Sequence, residues 1–166
     1  MTDTPHPLDH KIVTFALDGQ TFGIDMASLI EIREWSEPTP LPGVPSYILG
    51  VTNLRGTVVP VVGLSERLGW KPSAIFTRSC LLIVNLSGKQ AGFLVDEVAD
   101  IIQIQAEDVQ PAPDIEIDEP NIITGLVKLG ARTGSETEGR GREDGRMVML
   151  LELEAMGITR QLELAA

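Results

Sequence analysis

Apolar residues along this chain fall in short runs, alternating or near-continuous, each broken by glycine, proline or a polar pair. That spacing is the period of strands rather than of long helices. Residues 11–17 read as a first strand, Asp18-Gly19 as a hairpin turn, and residues 21–25 as the return, with Phe22 and Ile24 on one side. Residues 26–29 form a helical turn at most. In residues 30–35, Ile30 and Ile32 alternate with Glu31, Arg33 and Trp35, the pattern of a half-exposed strand. Pro38, Pro40, Pro42 and Pro45 make residues 37–46 a stiff extended strap. Residues 48–53 and 57–62 pair around the tight turn Leu54-Arg55-Gly56, and Pro60 places the second of them at a sheet edge or a bulge. Leu64 and Leu68, on one face four apart, mark a short helix. After a link at 71–78, residues 79–86 and 90–95 form a second hairpin around Gly88-Lys89. A strand at 97–103, a helical turn at 106–109, an acidic loop at 111–120 and strands at 121–129 and 146–151 follow. Leu153, Met156, Leu162 and Leu164 belong to C-terminal helical turns.

The pattern repeats. Leu17-Asp18-Gly19 followed by Gly23-Ile24 recurs as Leu86-Ser87-Gly88 followed by Gly92-Phe93, 69 residues further on at every position. At the same offset Leu29 and Ile32 fall on Val98 and Ile101. Each half reads hairpin, third strand, connector, two strands, short helix. Five short strands bury both faces of a sheet only if the sheet curls closed. The expected fold is therefore all-β: two linked five-stranded barrels, the second half starting at about residue 79.

Length and charge narrow the function. A chain of 166 residues is one domain or two small, intimately packed halves. Its formal net charge of −11 repels phosphate backbones and anionic lipid, so nucleic acid is excluded as a partner. No apolar run is long enough to span a bilayer, and residues 1–10 lack the basic-then-apolar order of a signal peptide, which favours the cytoplasm. A single cysteine, Cys80, rules out an intrachain disulfide and reads as buried apolar filler.

Candidate chemistry is thin. His6 and His10 stand i,i+4, but Pro7 lies between them in what reads as a flexible tail, not a metal site. The carboxylates of residues 111–120 lack the glycine-centred spacing of a calcium loop. Residues 131–145 are rich in glycine and mixed charge, without a phosphate-loop motif, and read as a mobile insertion. No metal, cofactor or catalytic residue is assigned. Two alternatives stay open: a small acid/base enzyme whose carboxylates meet only in space, and a small-barrel peptide or ligand binder. The second is weakened by aromatics of only 4% and by the wide spacing of Trp35, Tyr47 and Trp70; it would need Trp35 and Tyr47 to meet across the strap, whereas core or rim packing is the expected role of both.

Gly50-Val51-Thr52-Asn53-Leu54-Arg55-Gly56 followed by Val58-Val59-Pro60-Val61-Val62 resembles the signature of the CheW family, the bacterial chemotaxis coupling proteins. Phe22-Gly23-Ile24, Glu31-Ile32-Arg33, the prolines at 40–45, Gly92–Asp96, Gln110-Pro111-Ala112-Pro113 and Ile123-Thr124-Gly125-Leu126 extend the resemblance over roughly residues 11–156. It implies two SH3-like barrels related by a pseudo-twofold around a shared core, flanked here by a tail at 1–10 and a C-terminal tail or helix at 157–166. It also implies a non-catalytic adaptor, without cofactor, that joins the cytoplasmic tips of methyl-accepting chemoreceptors to the histidine kinase CheA through the kinase's CheW-like regulatory domain. Such a protein is cytoplasmic and recruited to membrane-associated receptor arrays without inserting into the membrane. Two departures stand out: the 131–145 insertion where the family keeps a short turn, and Gly63 where it usually has an aspartate, an exchange expected to leave the fold unchanged.

Arg55 is an isolated charge at a glycine-backed turn between apolar strands. It is an ordinary surface arginine, or it is fixed by a partner and shapes a binding face. The resemblance implies that Glu31 and Arg55 lie near the partner groove; with apolar Ile32 beside Glu31, and Pro42 and Pro45 holding Leu41 and Val44 in place, the expected protein-binding face is Glu31, Ile32, Leu41, Pro42, Val44, Asn53 and Arg55, on which Glu31 and Arg55 would pair.

Overall fold

The computed structural model describes residues 10–105, 108–111, 123–128 and 147–156. The tails, the 131–145 insertion and most of the acidic loop lie outside the described residues.

Eleven strands and a few short helical turns make up the described chain. The first hairpin is β1 (His10–Leu17) and β2 (Gln20–Asp25), and a 3₁₀ turn at Met26–Ser28 leads into β3 (Leu29–Glu34). Next come β4 (Ile48–Leu54), β5 (Thr57–Gly63) and α1 (Leu64–Arg67). The second half holds β6 (Cys80–Leu86), β7 (Lys89–Val95), β8 (Glu97–Ile104), β9 (Val109–Gln110), β10 (Ile123–Lys128) and β11 (Met147–Leu151), then a 3₁₀ turn at Leu153–Met156. Of the helical turn expected at 106–109, residues 106 and 107 lie outside the described residues, Asp108 is in a 3₁₀ turn as expected, and Val109 already belongs to β9, paired with β10.

The two sheets are similar, and they do not follow the expected division near residue 79. One runs β8-β1-β2-β11-β10-β9, the other β3-β6-β7-β5-β4. Matching β1 to β6, β2 to β7, β3 to β8, β4 to β10 and β5 to β11 turns one order into the other, with β9 added. Each hairpin thus sits among the later strands of the opposite half. The two joins β2–β11 and β5–β7 are both parallel, while the remaining pairs are antiparallel. No backbone ladder between the described edge strands closes either sheet into a barrel.

This exchange explains the near-continuous apolar run of β6. Cys80, Leu82, Val84 and Leu86 face a core shared by both sheets, together with Phe15, Phe22, Phe93, Leu64 and Leu151. Leu81 and Ile83 face the other way, into a cluster enclosed by the five-stranded sheet alone, with Leu54, Val59, Val61 and Leu94. Ile12, Ile104, Val127, Val148 and Leu150 form the counterpart under the six-stranded sheet. Both faces of the central strands are therefore buried, as strands with little polar alternation require. Cys80 is buried in the shared core, where apolar filler belongs.

Pro60 corrects an expectation. β5 is neither an edge strand nor bulged at that residue. The ladder to β7 begins only at Val61, one residue beyond Pro60, so no inter-strand bond to β7 is needed where the proline lacks its N–H.

Candidate functional site

The turn between β4 and β5 is built by two residues with positive φ, Arg55 at 53° and Gly56 at 90°. That is the geometry of a type I′ hairpin turn, which matches the twist of the flanking strands. Asn53 holds it: its Oδ1 accepts the Gly56 N–H at 2.7 Å. Asn85 does the same for Gly88 at 2.8 Å in the second hairpin, so the asparagine is a turn-builder in both places. Held this way, Arg55 projects from the end of the sheet.

Its guanidinium meets Glu31 of β3 in a two-pronged contact, Nη2 to Oε1 at 2.9 Å and Nη1 to Oε2 at 3.2 Å. Arg33, two residues along the same strand, donates to Oε2 at 3.1 Å. β3 and β4 are the opposite edges of the five-stranded sheet. In a flat sheet four strand spacings would separate them by roughly 19 Å. The contact therefore requires strong curling, and the ion pair ties the two edges together. The strap that continues from β3 adds a backbone bridge beside it: Thr39 and Val51 exchange N–H···O bonds of 2.8 Å each way. Gly50 makes room for this strap. A Cβ there would collide with the Thr39 carbonyl, and its φ of +149° also suits glycine.

The pair lies at the surface, with Arg55 62% and Glu31 26% exposed at the side chain. Hydrogen bonds from Arg55 first, then Arg33, hold the Glu31 carboxyl below its ordinary pKa, and Glu31 in turn raises that of Arg55.

The other residues of the expected face divide. Ile32 is 43% exposed and lines an open groove of about 500 Å³ with Trp35, Phe76 and Cys80. The expected alternation of β3 holds, and its isoleucines Ile30 and Ile32 lie on the exposed face. Pro42 is exposed and Leu41 half-buried. Val44 packs on the shared core and so serves the fold as well as any surface. Trp35 and Tyr47 take the packing role expected of them: Trp35 packs on the cluster inside the five-stranded sheet, Tyr47 on the shared core with Arg67 over its ring at 5.4 Å. Sequence reasoning missed Arg33 as the third member of the ion-pair group, although its i,i+2 spacing from Glu31 put both on one face. It also missed Phe76, whose place across the groove from Ile32 depends on the path of the 69–79 connector.

Gly63 stands where α1 begins. It caps α1 without a side-chain bond, and the Glu66 carboxylate folds back over it, where a Cβ would collide with Glu66 Oε1. Glu66 accepts bonds from the Ser73 hydroxyl at 2.7 Å and the Ser73 N–H at 3.0 Å. The side chain three residues on thus occupies the space an aspartate at 63 would need.

The described residues thus form two repeated sheets around one core, with an ion-paired knot at the surface of one of them. The CheW-like domain family matches residues 11–158. Probable chemotaxis protein CheW of Rhizobium etli is 36% identical over 149 residues, covering 89% of this chain and 87% of the relative. Chemotaxis protein CheW of Rhizobium meliloti is 33% identical over 156 residues, covering 93% and 92%. The crystal structure of scaffolding protein TtCheW from Thermoanaerobacter tengcongensis aligns with a TM-score of 0.75 at 27% identity, covering 89% of this chain and 92% of that one. The chain belongs to the CheW family. It is a non-catalytic adaptor of chemotaxis signalling, from a family whose members couple chemoreceptors to the kinase CheA.

Proposed function

We propose that the CheA-facing surface of this adaptor is Glu31, Ile32, the strap from Leu41 through Pro42 to Val44, and the Asn53–Arg55 turn. The observation that carries the reading is the two-pronged Glu31–Arg55 bridge across the edges of the five-stranded sheet. It fixes two charges and the strap beside them before any partner arrives, which lowers the ordering cost of binding. Exposed Ile32 supplies an apolar anchor next to them. In this reading the two curled sheets are SH3-like half-barrels, the protein works in the cytoplasm, and the kinase and receptors recruit it to membrane-associated arrays. Among the described residues no helix is long and apolar enough to cross a membrane.

The test is calorimetric affinity for the regulatory domain of the cognate kinase, with a melting curve on the same samples. Arg55→Ala weakens binding by more than about tenfold. Reversing both charges, Glu31→Arg with Arg55→Glu, recovers part of the loss, because the bridge re-forms. Unchanged affinity in Arg55→Ala removes Arg55 from the face. A folded Ile32→Glu variant with normal affinity would show the whole face to be wrongly placed.

A further inference from the structure

The strand order gives the two halves of this chain an unusual relation. Taken alone, the first half, through α1, holds the hairpin β1–β2, the hairpin β4–β5 and the unpaired strand β3. No described sheet within it exceeds two strands. The second half alone leaves β8 without a neighbour and the hairpin β6–β7 without a sheet. Both sheets are completed only across the halves, through β1–β8, β2–β11, β3–β6 and β5–β7. Isolated two-stranded hairpins are marginal in water, so each half depends on the other for its fold.

A single covalent crossing joins the halves, the connector at 69–79. It contains Pro72 and no regular element; its start is tied to the first half, by the Ser65 hydroxyl to the Lys71 carbonyl at 2.7 Å, the Ser73 hydroxyl to Glu66, and Lys71 to Asp18 at 3.3 Å, and its end to the second half, by Arg78 to Glu97 at 3.3 Å. None of the four cross-half ladders requires that both halves belong to the same chain.

We propose that this protein forms a dimer by exchanging halves with a second copy of itself, opening at the 69–79 connector and restoring every cross-half ladder between the two chains. The partner is another copy because the surface each half must cover is the core-facing side of its own complement. In such a dimer each unit takes Glu31, Arg33 and Arg55 from one copy and the intervening β6 and β7 from the other. The dimer then carries two complete ion-pair faces on one particle and is a bivalent form of the adaptor. Closing on its own chain needs no second copy and so favours the monomer at low concentration, and unfolding followed by refolding at high concentration populates the exchanged form.

Two full-length preparations with different affinity tags test this. Unfolded together and refolded at high concentration, they give dimers of which about half carry both tags. Mixed only while folded, they give no mixed dimers, because exchange requires the halves to part. A second arm pairs full-length Phe22→Asp with full-length Phe93→Asp. Each places an unpaired charge in the shared core and is unfolded alone. Refolded together, they recover one intact unit from the sound half of each, seen as a cooperative melt in a mixed-tag species. Monomers alone after co-refolding of the wild type overturn the proposal. So do mixed dimers that form without unfolding, which mark a surface contact, and so does a mutant pair that stays unfolded.

Discussion

At the scale of single residues, Glu31 decides how the candidate face responds to acid. Its carboxyl is held below the ordinary value of 4.5 by bonds from Arg55 and Arg33. A carboxylate depressed in the folded state stabilises it above the unfolded pKa, and that contribution is lost as pH falls through the lowered folded value. The Glu31–Arg55 bridge therefore persists through pH 4.5 and opens only below it. Glu31→Gln should remove this part of the acid dependence, which melting temperatures measured across the acid range will check against wild type. Residue 63 gives a second prediction. An aspartate at a helix N-cap normally stabilises by only about a few tenths of a kcal/mol relative to glycine. Here Gly63→Asp sets a second carboxylate against Glu66 and breaks the Glu66–Ser73 bonds, so the single variant melts lower than wild type. In a Glu66→Ala background the same substitution is stabilising. A double-mutant cycle on melting curves reads the sign change, and additive effects would refute the conflict.

At the scale of elements, the last strand pair fixes what the segment between β10 and β11 can contribute. Lys128 and Met147 face each other in the ladder, so the chain leaves β10 and returns to the adjacent position. A two-residue turn suffices there, and loop-closure cost rises only slowly with length. Replacing residues 131–145 with a two-residue turn should leave the melting temperature within a few degrees of wild type, and a large loss of folded protein would contradict this. The elements themselves were legible in the sequence because their signals are local. Asp18-Gly19, Arg55-Gly56 and Ser87-Gly88 each sit in the same positive-φ turn, and the repeated glycines of β2 and β7 each meet an isoleucine of the neighbouring strand. Their partners were not legible. Which sheet receives a hairpin is set by long-range pairing, and a 69-residue offset is equally compatible with contiguous and exchanged halves. The site shows the same split. Glu31 and Arg55 were identifiable by motif, whereas Phe76 depends on the fold of an irregular connector, and the core-facing role of Val44 depends on how the strap closes over β4.

At the scale of the whole molecule, the exchanged strand order makes the two sheets one cooperative unit. The shared core draws Phe15 and Phe22 from the six-stranded sheet and Val62, Leu82 and Phe93 from the five-stranded one, so neither sheet can open without exposing the other. Phe93 is 1% exposed at its centre. Phe93→Ala should cost about 3–5 kcal/mol through lost burial and the cavity left behind. The loss should be felt equally in both sheets, although Phe93 lies on a strand of only one. Hydrogen exchange read strand by strand measures this. In the variant, amides of β1 and β2 should lose as much protection as those of β6 and β7, and thermal unfolding should remain a single transition. If the sheets were independent barrels in mere contact, β1 and β2 would keep wild-type protection and the melt would split in two. A truncated chain ending at residue 70 gives the complementary result. It retains β1–β5 but loses the middle of one sheet and the flanks of the other, so it should show no cooperative melt, and a stable fold in that fragment would sink the single-core account.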